Sequence, residues 1–265
     1  MAKAAHRAPA AGARVLGLAL GTRLTLRAGA TLVVDGDTRI VVDPGPFQSL
    51  AELAAALQPH GLTPADIDTV YFTHLHFDHY TPAAIPPGVR RVCIPAAERA
   101  FIDALTPLAA DLDAYRARLL ETHERIAPVF LREFVRLARD ARYDFARLPY
   151  ADRLVELGPD ARPSAHTRTV ALPGHCPGQL GLEVTTAHGT VLIAGDAVLS
   201  LADWQAPDVS HHLIVHERAA LIASRERAGR ADCVVPGHGD WFSPRSGRVL
   251  AADSDLIAST GVATA

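Results

Sequence analysis

Four short apolar runs in this chain each stop at a side chain that can bind a metal, and this constrains the fold more tightly than any other feature of the sequence. Asp68–Thr73 runs straight into His-Leu-His-Phe-Asp-His, so that three imidazoles and a carboxylate fall between His74 and His79. Val170-Ala-Leu ends in Pro-Gly and His175. Val191-Leu-Ile-Ala ends in Gly195 and Asp196. Cys233-Val-Val ends in Pro-Gly and His238. A β-branched apolar run closed by Gly or Pro reads as a strand with a defined end. Strands that each deliver a ligand at the carboxyl end must bring those ends to one edge, and layered α/β folds gather their sites there. Glycine lets the backbone turn sharply just before the ligand.

The remaining segments agree with a sheet-rich α/β fold. Arg14–Leu20, Thr31–Asp35 and Arg39–Asp43 read as strands, and Gly36-Asp37 supplies hairpin chemistry between the last two. Leu50–Gln58 reads as a helix with Ser49 as N-cap. Thr167–Leu172, Gly181–Thr186, Thr190–Ala194 and Asp232–Val235 read as strands, and His216–Gly229 as a helix closed by a C-cap glycine. Ala96–Arg142 differs in kind: Leu105, Leu108, Leu112, Tyr115 and Leu119 recur at helical spacing, then Phe130, Phe134 and Leu137 after a break at Pro128. That stretch reads as a helical insertion over about 96–150, forming either plain scaffold or one wall of a pocket. Residues 1–13, Ala-rich, read as a flexible tail before a single domain over 14–265.

Composition narrows the partners. The 265 residues carry 49% apolar and 21% charged side chains, ordinary for a globular core. A net charge of -3 gives no basic footprint for nucleic acid and no polybasic membrane segment. No apolar run approaches a membrane span. Cys93, Cys176 and Cys233 are odd in number and far apart, so no disulfide framework is implied and a reducing cytoplasmic location is expected. The expected partner is a small-molecule substrate, with a homodimer left open.

Neutral imidazole and carboxylate are the usual zinc donors. In order, His-x-His-x-Asp-His, Pro-Gly-His, Gly-Asp and Pro-Gly-His resemble the metallo-β-lactamase superfamily over about residues 14–245. The resemblance implies a four-layered αββα sandwich with its site at one edge. By position, it implies that His74, His76 and His175 hold one metal, that Asp78, His79 and His238 hold a second, and that Asp196 bridges them. It implies two Zn2+ per chain, although iron or manganese accept the same donors. The expected chemistry is hydrolysis, a hydroxide shared by the two cations attacking an ester or lactone carbonyl. Asp78 is the expected catalytic side chain, orienting the water or taking its proton.

Within the superfamily, Asp196 argues against a true β-lactamase, which lacks the bridging aspartate, and His76 argues against the flavodiiron type. The wording around Leu75–His79 is similar to N-acyl-homoserine lactonases. Those often place a tyrosine after the bridging aspartate, whereas this chain has Ala197-Val-Leu-Ser200. Three alternatives remain: a phosphodiesterase or nuclease of the same fold, disfavoured by the net charge but kept open by the Arg-rich segment Arg132–Arg147; a mononuclear iron persulfide dioxygenase; and a non-enzymatic metal module. Tyr80 reads as a packed tyrosine or a substrate contact. Trp204 reads as an apolar anchor or a substrate platform. His211, His212 and His216 read as surface loop and helix start, or as pocket wall. Cys176 reads as a packed thiol, and Thr73 and Asp43 as groups that orient the ligating histidines.

Overall fold

In the computed structural model, residues 12–22 and 27–257 are described. Most of the expected tail, 1–11, lies outside them. Ala13 is already folded in: it is buried, and its N–H donates to Thr185 O at 2.9 Å.

Two sheets pack face to face. The first contains β1 (Arg14–Ala19), β2 (Ala30–Asp35), β3 (Thr38–Val42), β4 (Thr69–Tyr71), β5 (Arg91–Pro95) and β7 (Leu154–Leu157), in that order. β1–β2–β3 are antiparallel, and β3, β4, β5 and β7 run parallel. The second has the order β12 (Cys233–Pro236), β10 (Gly189–Gly195), β9 (Leu180–Thr186), β8 (Thr167–Ala171). β12 and β10 are parallel there, and β9 is antiparallel to both β8 and β10. A two-residue ladder joins β6 (Arg125–Ile126) to β11 (Ile214–Val215).

The period of two along each strand decides the layering. On β3, Ile40 and Val42 face the second sheet, while Val41 faces outward beneath α1 (Leu50–Leu57) with Leu53 and Leu57. On β10, Val191 and Ile193 face inward, and Leu192 faces outward against Ala228 of α6 (Arg218–Ala228). Both faces of each sheet are therefore covered, which explains the near-continuous apolar runs. The result is helix, sheet, sheet, helix.

The long helical stretch resolves into α2 (Ala96–Leu105), α3 (Leu112–Thr122) and α4 (Pro128–Leu137). It connects β5 to its parallel neighbour β7, so part of it is the crossover that parallel strands require. Four-residue β7, absent from the sequence reading, carries Glu156 in its short run and shows no clear alternation. α3 and α4 pack on each other through Leu119, Leu131, Tyr115 and Phe134. The helix α5 (Leu201–Gln205) follows the Asp196 turn, and α7 (Ser254–Ile257) closes the described chain. Gly229 is the C-cap of α6 but has φ -63, not the left-handed conformation expected of a C-cap glycine. Its reason is packing: a Cβ there would lie 3.1 Å from the Trp204 ring. Among the described residues no helix is long and apolar enough to cross a membrane.

Candidate metal centre

The carboxyl ends of β4, β8, β10 and β12 meet at one edge, and the seven metal-capable side chains expected from the sequence meet with them. Three overlapping groups have donor atoms within 4.8 Å of one another: His74, His76 and His175; His74, His79 and Asp196; and Asp78, His79 and His238. Ring nitrogens of His76 and His175 lie 3.0 Å apart. Asp196 is central. Its Oδ1 lies 3.1 Å from His79 Nε2, and its Oδ2 lies 3.4 Å from His175 Nε2 and 3.3 Å from His238 Nε2. Asp78 Oδ2 lies 3.3 Å from His238 Nε2.

The donors fit cations better than they fit one another. His74 Nε2, His79 Nε2 and Asp196 Oδ1 are buried and make no hydrogen bond. Such atoms cost about 1–3 kcal/mol each unless something answers them. Burial holds His74 and His175 well below the ordinary imidazole range and pushes His76 down to about 3. Burial also opposes charge on His79 and His238, but Asp196 and Asp78 outweigh it, raising His79 well above the ordinary range and His238 to about 10. Asp196 itself is buried, yet His238 and His79 hold its carboxyl well below its ordinary value. A ring nitrogen of either histidine must be free of its proton before it can ligate a metal.

The supporting shell is built from β3 and β4. Asp43, directly after β3, accepts from His79 Nδ1 (2.9 Å), Thr73 N–H (2.7 Å) and the Thr73 hydroxyl (2.6 Å). Thr73 Oγ1 is also 3.1 Å from His74 Nδ1. These contacts turn the Nε2 atoms of both histidines toward the cluster, the usual arrangement behind a ligating imidazole. His238 Nδ1 is held by Arg27 O at 3.0 Å. Close approach explains Gly237: a Cβ there would overlap Asp196 Oδ1. Gly195, at φ +52, makes the left-handed turn into Asp196 and packs on Thr73 Oγ1.

One supporting residue has no signal in the sequence. Glu98, in the first turn of α2, is buried beside Leu75 and Cys176 and accepts from the Gly178 N–H at 2.8 Å. It ties the loop between His74 and His76 to the loop after His175. A lone acid on a helix carries no mark of that role. Cys176 is buried, and burial with Glu98 beside it pushes its thiol well above the ordinary range, so it is packing and not a nucleophile.

A cavity of about 390 Å³ opens over the cluster. Phe77, Phe130, Leu199, Leu213 and Ile214 wall it, and His211 is its remaining polar side chain. Phe134 stacks at 5.1 Å from the His76 ring, while Tyr115 lies deeper, between the helices. Tyr80 is not a pocket residue: it is fully buried, its hydroxyl 2.8 Å from that of Tyr150 and 3.0 Å from Arg142 O. Trp204 packs on Phe242 and donates to Pro244 O at 3.3 Å. His212 is fully buried against Asp203, and His216 meets the His123 ring edge to face.

The fold, the order of the donors and their convergence coincide with a match of residues 26–83 to the family model of the metallo-β-lactamase superfamily. Residues 26–83 thus match the metallo-β-lactamase superfamily in sequence, and the described residues have its fold. Human (Homo sapiens) metallo-beta-lactamase domain-containing protein 1 is 30% identical over 213 residues, 77% of this chain and 59% of that protein. The chain therefore spans less than two thirds of that relative. Among solved metallo-β-lactamase-fold structures, the hydrolase AbOPH aligns with a TM-score of 0.58 at 18% identity, covering 84% of this chain and 77% of AbOPH. AidC, a dizinc quorum-quenching lactonase, aligns with a TM-score of 0.57 at 17% identity, covering 77% of this chain and 67% of AidC. At those identities the likeness is one of fold.

Proposed function

We propose that this protein is a dinuclear metal-dependent hydrolase of esters or lactones. The observation that carries the reading is a cluster of seven donors with Asp196 at its centre, its carboxylate oxygens 3.1–3.4 Å from ring nitrogens of His79, His175 and His238, beneath a cavity whose lining has apolar walls and no lysine or arginine. His74, His76 and His175 would hold one metal, Asp78, His79 and His238 the other, and Asp196 both. Zinc suits this set of imidazoles and carboxylates, and iron or manganese accept it too. A metal pair bound there supplies Lewis acidity and brings water to nucleophilic strength at neutral pH. Asp78, less buried than His79, Asp196 and His238, faces the cavity and orients the attacking water or takes its proton. Phe77, Phe130 and Leu213 exclude bulk water and seat the apolar part of an uncharged acyl substrate.

A phosphodiester substrate fits less well. The neighbouring groove carries Arg136, Arg142 and Arg147, but each pairs locally, with Glu133, Asp140 and Asp144. Little of that charge is left for a polyanion. Three buried free cysteines suit a reducing, cytoplasmic setting. The domain reading is one unit over 14–265, with α2–α4 as its elaborated crossover.

Elemental analysis should give about two metal ions per chain, and a panel of lactone, ester, thioester, β-lactam and phosphodiester substrates should favour lactones or esters. Asp196→Ala and His76→Ala should abolish turnover while the fold persists. One metal per chain after reconstitution, or preferred cleavage of phosphodiesters, would overturn the reading.

A further inference from the structure

The cavity over the cluster contains one polar side chain outside the seven candidate ligands, His211. We infer that His211 is a catalytic residue that hydrogen-bonds the leaving oxygen of the substrate and supplies its proton, an inference that rests on the ester or lactone reading above.

The first argument is elimination by chemistry. When an ester or lactone opens, the departing alkoxy oxygen needs a proton. No Ser, Thr, Tyr, Lys or Arg side chain lines this cavity, and the other polar groups there belong to the cluster. Imidazole carries both a donor and an acceptor nitrogen, so it can give a proton at one moment and recover one the next.

The second argument is placement. Loops joining secondary-structure elements are usually mobile, and a proton donor on a mobile loop is poorly aimed. The segment between α5 and β11 that carries His211 is held by two guanidinium groups and one buried pair. Arg125, on β6, donates to Val209 O (3.3 Å) and His212 O (2.9 Å), the carbonyls on either side of Ser210 and His211. Arg225, buried on α6, donates to Asp208 O (2.7 Å) and Asp203 O (2.6 Å). The next residue, His212, is fully buried with a ring nitrogen 3.2 Å from Asp203 Oδ2, and that oxygen also accepts from Leu199 N–H at 3.0 Å. Two arginines and a buried His–Asp pair are spent on an irregular segment whose one polar cavity-lining side chain is His211. That is how a preorganised catalytic group is supported.

The step balances without a further reagent. The water oxygen adds to the carbonyl carbon. The bond from that carbon to the alkoxy oxygen breaks, its electron pair stays on the alkoxy oxygen, and the His211 N–H supplies the proton that makes it a hydroxyl. The proton lost by the attacking water, handed on by Asp78 where that carboxylate takes it first, restores the imidazole, so ester and water become acid and alcohol.

The test uses two esters of one acyl group on the purified metal-loaded protein, an ethyl ester and a nitrophenyl ester, together with metal content and melting temperature. Nitrophenolate leaves without a proton and ethoxide does not. His211→Gln, which can donate a hydrogen bond but not a proton, and His211→Phe should each lower kcat/KM on the ethyl ester by about 100-fold, with less than about 5-fold lost on the nitrophenyl ester. Metal content and melting temperature should match the parent protein. Equal losses on both esters, or no loss on either, would overturn the inference. If the parent protein cleaves neither ester nor any lactone, the underlying hydrolase reading fails first, a result visible before any substitution is made.

Discussion

Replacing Asp43 with asparagine isolates what the group behind the cluster contributes. Of the seven candidate ligands Asp43 contacts only His79, accepting from its Nδ1 at 2.9 Å. It sits at φ +49, a region that asparagine tolerates better than other non-glycine residues, so Asp43→Asn keeps the backbone unstrained. The carbonyl oxygen of asparagine can still accept from Thr73 N–H, now at 2.7 Å from Asp43 Oδ1. Its NH2 then faces the Thr73 hydroxyl and His79 Nδ1, which contact Oδ2 at 2.6 and 2.9 Å. An N–H aimed at an N–H is repulsive, so His79 must move its proton to Nε2, the nitrogen that points at Asp196. That nitrogen then cannot ligate. Loss of such an orienting partner typically lowers metal affinity 10–100-fold, or about 1.4–2.8 kcal/mol. Competition with a chromophoric chelator at neutral pH would measure it, with denaturant unfolding of the metal-free protein as control. Asp43→Ala should cost about 1–2 kcal/mol more in stability, because alanine resists the left-handed backbone. Two metals bound by Asp43→Asn within about 2-fold of the parent affinity would refute the reasoning.

Gly237→Ala places a methyl group on Asp196 Oδ1 and should lower activity by about 100-fold or more with loss of bound metal, read by elemental analysis. Burial pushes the His123 imidazole down to about 4, so it stays neutral while the unfolded chain takes up a proton near 6.5. Stability from this group is therefore complete above about pH 6.5 and falls by up to about 3 kcal/mol as pH drops to about 4. His123→Gln should flatten that part of the stability curve, and parallel curves would show the assignment to be wrong. Phe130→Ala should change relative rates across an acyl series at constant metal content, because Phe130 lines the cavity, whereas Tyr115→Ala should lower thermal stability and leave the ranking of substrates alone.

The donors were legible because each closes a strand. A strand end, a glycine and a ligand form one local pattern that His175, Asp196 and His238 carry, while His74 closes its strand without a glycine. Asp43 was legible for the same reason, following β3 as His74 follows β4. What supports the site from a distance was not. Glu98 acts through two loops that lie far from it in sequence, and Arg125 and Arg225 act on backbone carbonyls, which leave no trace in the residues they contact. Tyr80 read either as a packed ring or as a substrate contact, and it is the packed ring: the chain turns between Asp78 and Tyr80 and buries it with Phe72 and Tyr150. β6 and β11 were invisible because two residues cannot show a period.

That two-residue ladder changes what the helical crossover is for. β6 lies between α3 and α4, and β11 immediately follows the loop with His211. The ladder joins Ile126 to Ile214 and Arg125 to Val215, Ala127 N–H adds a bond to Leu213 O at 2.8 Å, and the Arg125 side chain reaches back to hold His212 O. On the far side, His216 N–H donates to Gly174 O at 2.8 Å, one residue before His175. A continuous line of backbone hydrogen bonds therefore runs from the crossover through the cavity loop to a candidate ligand. Phe130 and Phe134, on α4, begin only a few residues after β6 and supply the aromatic wall beside His76. The crossover does more than connect β5 to β7. It sets the wall of the cavity and the position of the loop opposite in one rigid unit, so a change in α4 is felt at His211 and at the apolar wall together.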